Sequence, residues 1–404
     1  MNNLTCWFRK KYLLAQWRHR RRRKKNIYFS VSNLKRVFEK FDEHNVRCVV
    51  LRWFDEVPLT LQEEDNLKSD SDIDILVDTE DLKLLALIAS QHPGNIRFDV
   101  YNRTGRRGMS YASLPYYPPT LASIILDQRV RYRDAFYVPE ALTHFRSLAF
   151  HLVYHKGLDS GIPSGCHLRS NSDPKRPYGR FLAELDQGLG IKIDQPYTLL
   201  GLHEYLKQCG WEMPYDLFER WPHKSSWHQY LLEQETKVLK PWAERLPGLL
   251  VFFIRQDLIE SNKTEMVYQM LEEKFSILKK EQIIQQQIDR VMQKVRGGNW
   301  IAHNGTWVIP PKIAVICYDH NPVPVAETDI NKIKSYPHIK NKNVFHKHEI
   351  RMRLAKTDNT SEKIFGIHGS DNAYEAQHML RTIYTENTPE VNRKLFENMQ
   401  RNIT

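Results

Sequence analysis

Ser71-Asp72-Ile73-Asp74-Ile75-Leu76-Val77 is the stretch that decides the reading of this chain. Two carboxylates alternate with apolar residues and then give way to an apolar run. Side chains of a strand point to opposite faces in turn, so Asp72 and Asp74 are expected on one face while Ile73, Ile75 and Val77 enter a core. Paired carboxylates at the start of a strand suit a hard divalent cation such as Mg2+ or Mn2+, which commonly takes substrate phosphates as further ligands.

Around this strand the order of elements points to an α/β (α+β) fold. Leu34, Val37, Phe38 and Phe41 recur at helical spacing between Val31 and Asn45, with Ser30 or Ser32 placed to cap, and Val46 to Leu51 reads as a strand. A polar, acidic loop from Asp55 to Asp70 leads to the acidic strand. Thr79, Glu80 and Asp81 then open a helix over Leu82 to Ile88, which Pro93-Gly94 ends, and Ile96 to Tyr101 forms a further strand. Asp99, flanked by Phe98 and Val100, faces away from both and is expected to join Asp72 and Asp74.

These residues resemble the nucleotidyltransferase superfamily related to polymerase beta. The Asp-Ile-Asp of Ser71 to Val77 matches the family's Asp-x-Asp, and Asp99 matches its third acid. The family's Gly-Ser element is replaced here by Arg52-Trp53. The resemblance covers about residues 31–138. It implies Mg2+ or Mn2+ on Asp72, Asp74 and Asp99, and a nucleoside triphosphate bound with help from Arg52 and Ser71. It also implies transfer of a nucleotidyl group to an acceptor, with pyrophosphate leaving.

The chain has 404 residues, enough for several domains, and 41% hydrophobic with 26% charged residues is a globular composition. Cys6, Cys48, Cys166, Cys209 and Cys317 are scattered, without a CxxC pair, which argues for a reducing compartment and against a disulfide framework or a cysteine zinc site. Ten Lys or Arg lie within residues 9–25 and no acid does. Removing them from a net charge of +11 leaves the rest of the chain at +1. The positive field therefore belongs to an arm, residues 1–30, and nucleic acid is not an expected partner. Trp7, Phe8, Tyr12, Leu13, Leu14 and Trp17 interleave with that charge. The arm is thus either a solvated tail or a segment lying on an anionic membrane through residues 7–25. No apolar run is long enough for a span, so the expected location is cytoplasmic, at the inner face of the membrane if the arm binds there. Such a setting suits an acceptor that is a sugar or a lipid-linked precursor in polysaccharide synthesis.

Past Asp99, the loop from Asn102 to Tyr117 carries Arg103, Arg106, Arg107, Gly105 and Gly108 and is a candidate contact for an anionic substrate. A helical region is expected over 139–247. Its first helix, from Pro139 to Lys156, bears His144, His151 and His155, without the Glu directly after the first histidine that a zinc-protease helix needs. The residues between Gly157 and Pro177 are expected to form a flap, and Trp211, Trp221, Trp227 and Trp242 to fill a core.

A new unit is expected over 248–388, with 389–404 as a tail. Leu249 to Ile254 reads as a strand followed by Arg255-Gln256-Asp257, Ile313 to Cys317 as another, and Ile364 to Ile367 leads into His368-Gly369-Ser370-Asp371. This last stretch resembles nucleoside diphosphate kinase, whose H-G-S-D sequence carries a phosphorylated histidine. The resemblance implies a ferredoxin-like α/β sandwich and homo-oligomer contacts through it. It also implies phosphoryl transfer at His368, with Arg255, Arg351 and Asp371 near the nucleotide and Ser370 or Asp371 capping the next helix. Three positions depart from it: Arg255-Gln256-Asp257 stands for Lys-Pro-Asp, Phe365 for an Asn, and Met379 for the Glu that orients the imidazole. Nucleotidyl transfer at the aspartates, phosphoryl transfer at His368, and a non-catalytic nucleotide-binding protein are thus the readings to be separated.

Overall fold

The computed structural model describes residues 28–65, 72–105, 114–221, 225–295, 300, 308–356 and 366–401, with Lys11 and Ala15. Ser71, the rest of the basic arm, residues 106–113 and residues 363–365 lie outside the described residues. The chain divides into two compact units: residues 1–213 with 222–228, and residues 214–221 with 229–404. The expected break at 138/139 therefore falls inside the first unit, because the Ala141–Phe150 helix packs on the strand that precedes it.

Unit 1 is built on a four-stranded mixed sheet in the order β1-β4-β3-β2, from β1 (Tyr28–Val31), β2 (Cys48–Val50), β3 (Asp72–Val77) and β4 (Ile96–Asn102). β3 and β4 run parallel, joined through the Leu82–Ala89 helix, and the outer pairs are antiparallel. Phe29, Val31, Ile73, Ile75, Val77, Phe98 and Val100 form one buried face, covered by Leu34, Val37, Phe38 and Phe41 of the Leu34–Glu43 helix and by Leu82, Leu85 and Ala86. Burying each such side chain is worth ~2 kcal/mol.

Local differences from the expected elements have local causes. β1 lies in what reads as the end of the arm, since four residues give too short an alternation to register. Asn33, not a serine, caps the following helix: it adopts a left-handed conformation that asparagine tolerates, and its side chain accepts from the Arg36 amide. Pro139 ends a strand instead of opening a helix. It closes the β5 (Arg129–Tyr132) and β6 (Phe136–Pro139) hairpin, turned by Arg133 and Asp134 at φ 47° and 50°. Glu140 then caps the Ala141–Phe150 helix through the amides of Leu142 and Thr143.

Unit 2 holds an antiparallel sheet in the order β10-β7-β9-β8, from β7 (Leu249–Arg255), β8 (Ser276–Gln282), β9 (Pro311–Tyr318) and β10 (Ile367–Gly369). This is the strand order of a ferredoxin-like sheet, with helices on both faces. Leu249, Val251 and Phe253 pack toward the Ala373–Tyr384 and Gln285–Lys294 helices. Leu250, Phe252 and Ile254 pack toward the Thr264–Glu272 and His346–Lys356 helices. Cover on both sides explains why β7 is an unbroken apolar run.

Arg351, which the kinase resemblance aligns loosely with a strand, lies on the His346–Lys356 helix, where Ile350 and Leu354 meet the core at a spacing of four. The expected tail at 389–404 contains the Thr388–Arg401 helix, whose Leu395 and Met399 are buried. Asn372, not Ser370 or Asp371, caps the Ala373–Tyr384 helix, because the Ser370 hydroxyl accepts from the Val251 amide and Asp371 is held by cations. Trp211, Trp221 and Trp227 are buried as expected, and Trp242 is partly buried against the core. The four described cysteines are free thiols. Among the described residues no helix is long and apolar enough to cross a membrane.

Candidate functional site

The parallel register of β3 and β4 sets Asp74 directly beside Asp99. Asp72 and Asp74 are two residues apart, so all three carboxylates emerge on the sheet face opposite the core. Their surroundings differ. Asp72 is exposed at the start of β3, whereas Asp74 is 8% exposed. Burial pushes the Asp74 carboxyl above its usual range; the Arg52 guanidinium at 2.9 Å opposes that rise, and the Asp72 charge adds to it. The Tyr101 hydroxyl donates to Asp74 at 3.1 Å. Asp99 is pushed up to about 6, first by burial, against its pair of bonds to Arg97 at 2.7 and 3.1 Å, and further by the charges of Asp74 and Asp72.

Arg52 stands at the centre of a buried polar chain. Its Nη2 contacts Asp74 and donates to the Tyr116 hydroxyl at 3.2 Å, while Nη1 is buried and meets no hydrogen-bond acceptor among the described residues. Burial works against the guanidinium charge, yet Asp74 raises its pKa well above the usual value. Arginine only donates, so the Tyr116 oxygen accepts from it, and the same hydroxyl shares a hydrogen bond with His151 Nδ1. His155 Nε2 donates to the Tyr116 carbonyl at 2.9 Å and its ring lies parallel to Tyr116 at 3.7 Å. Burial, and then Arg52 among the neighbouring charges, holds both imidazoles well below their usual pKa, so they are neutral at pH 7.

These histidines ride on a π-helical turn, His151–Lys156, that continues the Ala141–Phe150 helix. Such turns recur at functional sites because the extra residue re-aims side chains. This turn also brings Lys156 near enough to act on the Asp74 charge. Trp53 adopts a glycine-like backbone at φ 54°. For a residue with a Cβ this is strained by ~1–2 kcal/mol. Its ring stacks on Phe181 at 4.7 Å, lies 5.6 Å from Tyr178, and carries the Arg176 guanidinium 4.6 Å above it.

His144, on the same helix, is a core residue. It lies 2% exposed between Phe54 and Phe181, and its Nε2 has no hydrogen-bond partner among the described residues. Burial first, then Arg52, lowers its pKa to about 4. A lowered histidine pKa means that its contribution to stability is full above the unfolded value near 6.5 and is lost as pH falls toward 4, ~3 kcal/mol in all. His144→Phe should fold, and its melting temperature should fall less steeply between pH 6.5 and 4 than that of the parent chain.

In unit 2 the expected companions of His368 are engaged elsewhere. Arg255 is fully buried and donates to the carbonyls of Ile309 and Trp300 at 3.1 and 2.8 Å. Arg351 donates to the Ile367 carbonyl at 3.1 Å. Asp371 accepts from Lys347, from Arg220 at 2.6 Å and from His338 at 2.6 Å. These contacts outweigh the rise that burial would cause and hold its carboxyl well below the usual range. His368 itself, 6% exposed on β10, has two carboxylates for neighbours. Ligand atoms of Asp216, His368 and Glu375 all lie within 4.8 Å of one another. Among the described residues this is the group of three or more metal-ligating side chains drawn so close; Asp72, Asp74 and Asp99 share a face without reaching that proximity.

Neither Asp216 nor Glu375 is singled out by the sequence reading. Asn372-x-x-Glu375 has the spacing of a helix capping box and so was legible, whereas nothing around Asp216 marks it. No protein-family model, no curated protein and no solved structure matches this chain.

Proposed function

We propose that unit 1 is a metal-dependent nucleotidyltransferase with Asp72, Asp74 and Asp99 at its centre. The observation that carries this reading is the register placing Asp74 beside Asp99 on the face that bears Asp72. The donor set fits Mg2+ or Mn2+: it is all oxygen, and a divalent cation would relieve both the burial that lifts Asp99 to about 6 and the charges of Asp74 and Asp72 that add to it. Arg97, 48% exposed, now pairs with Asp99, and an exposed pair of this kind exchanges with water at little cost. When bound, the ion supplies neutralisation of the phosphate charge that builds during in-line displacement.

The chain's own residues do the rest. Tyr101 and Arg52 fix the Asp74 carboxylate; Arg52 and Lys156 supply positive charge for phosphate oxygens; Trp53 with Arg176 offers a stacking surface for a base or sugar ring. An acceptor hydroxyl oxygen forms a bond to the α-phosphorus and loses its proton to solvent. The bond to the β-phosphate oxygen breaks, and pyrophosphate leaves with the electron pair. A sugar or lipid-linked precursor is the proposed acceptor class.

Phosphoryl transfer through His368 is the less favoured reading. A phosphoimidazole there would set a dianion beside Asp216 and Glu375, with Arg255 and Arg351 bound to main-chain oxygens.

The test uses α-labelled nucleoside triphosphates with Mg2+ and a panel of sugars, sugar phosphates and polyisoprenyl phosphate. Label should pass to an acceptor, and Asp72→Asn should lower the rate by ~100-fold, about 2.7 kcal/mol of barrier, without loss of fold because Asp72 is exposed. Equal transfer by Asp72→Asn, or γ-label retained on the protein and lost in His368→Ala, would overturn the reading.

A further inference from the structure

We propose that Asp216, His368 and Glu375 form a site for a transition-metal ion of the Zn2+, Co2+ or Mn2+ class in unit 2, independent of the aspartates of unit 1. Three separate elements deliver the ligands: the Tyr215–Glu219 helix, β10, and the first turn of the Ala373–Tyr384 helix. All three side chains are buried, at 2%, 6% and 1% exposure, and their ligand atoms lie within 4.8 Å of one another. Chance clusters of acids are a surface phenomenon; a buried one carries a desolvation penalty unless a counter-charge meets it.

A second observation concerns Glu375 alone. Its Oε2 accepts from the Asp371 amide, which fixes the side chain, while Oε1 is buried and accepts no hydrogen bond among the described residues. The Arg220 guanidinium stands 4.0 Å from Oε1, and its Nη2 is committed to Asp371 at 2.6 Å. Lys347, the other buried cation here, also bonds Asp371 and the carbonyls of Gly369 and Ser370. The hydrogen bonds of Arg220 and Lys347 thus go to Asp371 and to main-chain oxygens, which leaves Glu375 Oε1 without a donor among the described residues, and a divalent ion would meet it.

The ligand types select the ion. One imidazole nitrogen with two carboxylates suits a borderline metal and disfavours Mg2+ or Ca2+, which prefer all-oxygen shells. Three protein ligands leave a coordination position open. The Asp371 amide behind Glu375 holds that ligand in place, as outer-shell partners of metal sites do. Trp300 fixes the His368 ring edge-on at 5.8 Å. In this arrangement His368 is a ligand.

The full chain, stripped with a chelator and dialysed, is titrated with Co2+ and then Zn2+. Stoichiometric uptake is expected, with visible Co2+ absorption that Zn2+ displaces and a rise in melting temperature. His368→Ala and Glu375→Gln should each weaken Zn2+ binding by more than the ~10–100-fold that loss of an outer-shell partner costs, while Asp72→Asn leaves it unchanged. X-ray absorption of the Zn2+ form of the parent chain reads the shell without any variant: a single imidazole with oxygen ligands is expected. Failure to take up either ion, equal uptake by His368→Ala, or a shell with sulfur or without imidazole would overturn the proposal.

Discussion

Asp371→Asn should destabilise unit 2 by ~3–5 kcal/mol, because it breaks a buried ionic network by removing one partner. Asp371 is 2% exposed and accepts from Lys347, Arg220 and His338 together. Asparagine keeps the shape but leaves the Lys347 ammonium, itself 4% exposed, without its anion. Burial already pulls the Lys347 pKa down and Asp371 holds it up, so in the variant it should fall further. Amide hydrogen exchange of β7 measures the effect on this unit by itself, with protection expected to fall ~100- to 5,000-fold. The sign with pH follows from the depressed carboxyl. Its contribution is full above the unfolded value near 3.9 and is lost as pH falls through the folded pKa, so parent and variant converge in acid. Protection within tenfold of the parent at pH 7 would show that the network is not ionic. Glu375 gives the contrast: burial and the Asp371 charge raise its pKa well above the usual range, so the folded chain without metal disfavours its charged form and Glu375→Gln should fold normally.

Arg52→Met should cost unit 1 a similar ~3–5 kcal/mol at neutral pH. The guanidinium is 7% exposed and is the cation facing Asp74 at 2.9 Å; without it the carboxyl, already lifted by burial, rises further. A raised carboxyl pKa contributes stability below the unfolded value near 3.9 and loses it as pH rises through the folded pKa. The variant is therefore closest to the parent in acid and falls behind as pH rises, whereas a simple packing defect would not vary with pH. Arg52→Met with Asp74→Leu removes both charges and should recover most of the loss, since a buried pair replaced as a whole by apolar groups is often neutral. Exchange protection of β3 amides reads the series. An Arg52→Met deficit that does not vary with pH, or a double variant no better than the single, would sink this account of the pair.

How much was legible follows from the range of the forces involved. Strand alternation, helical spacing and turn residues are local, and from them β2, β3, β4, β7, β9 and the common face of Asp72, Asp74 and Asp99 can be read. Short or irregular elements escape such a reading. β1 has four residues, and the left-handed Trp53 and the π-helical turn at His151–Lys156 break the periods on which the reading depends. Ile350 and Leu354 suit a strand as well as a helix by spacing alone, and only core contact chooses the helix.

The acidic strand, its parallel neighbour and the α+β class were thus determined by sequence alone, since each rests on which residues lie two, three or four apart. The tertiary structure decided what those residues face. Arg52 reaches Asp74 and Tyr116 across 22 and 64 positions, and Tyr116 reaches His151 across 35 more. His368 on β10 meets Asp216 from more than a hundred residues earlier, as well as Glu375 of the helix that follows it. Charges buried in one core act through space, with a strength set by burial and distance, and neither quantity is written in the spacing of residues along the chain.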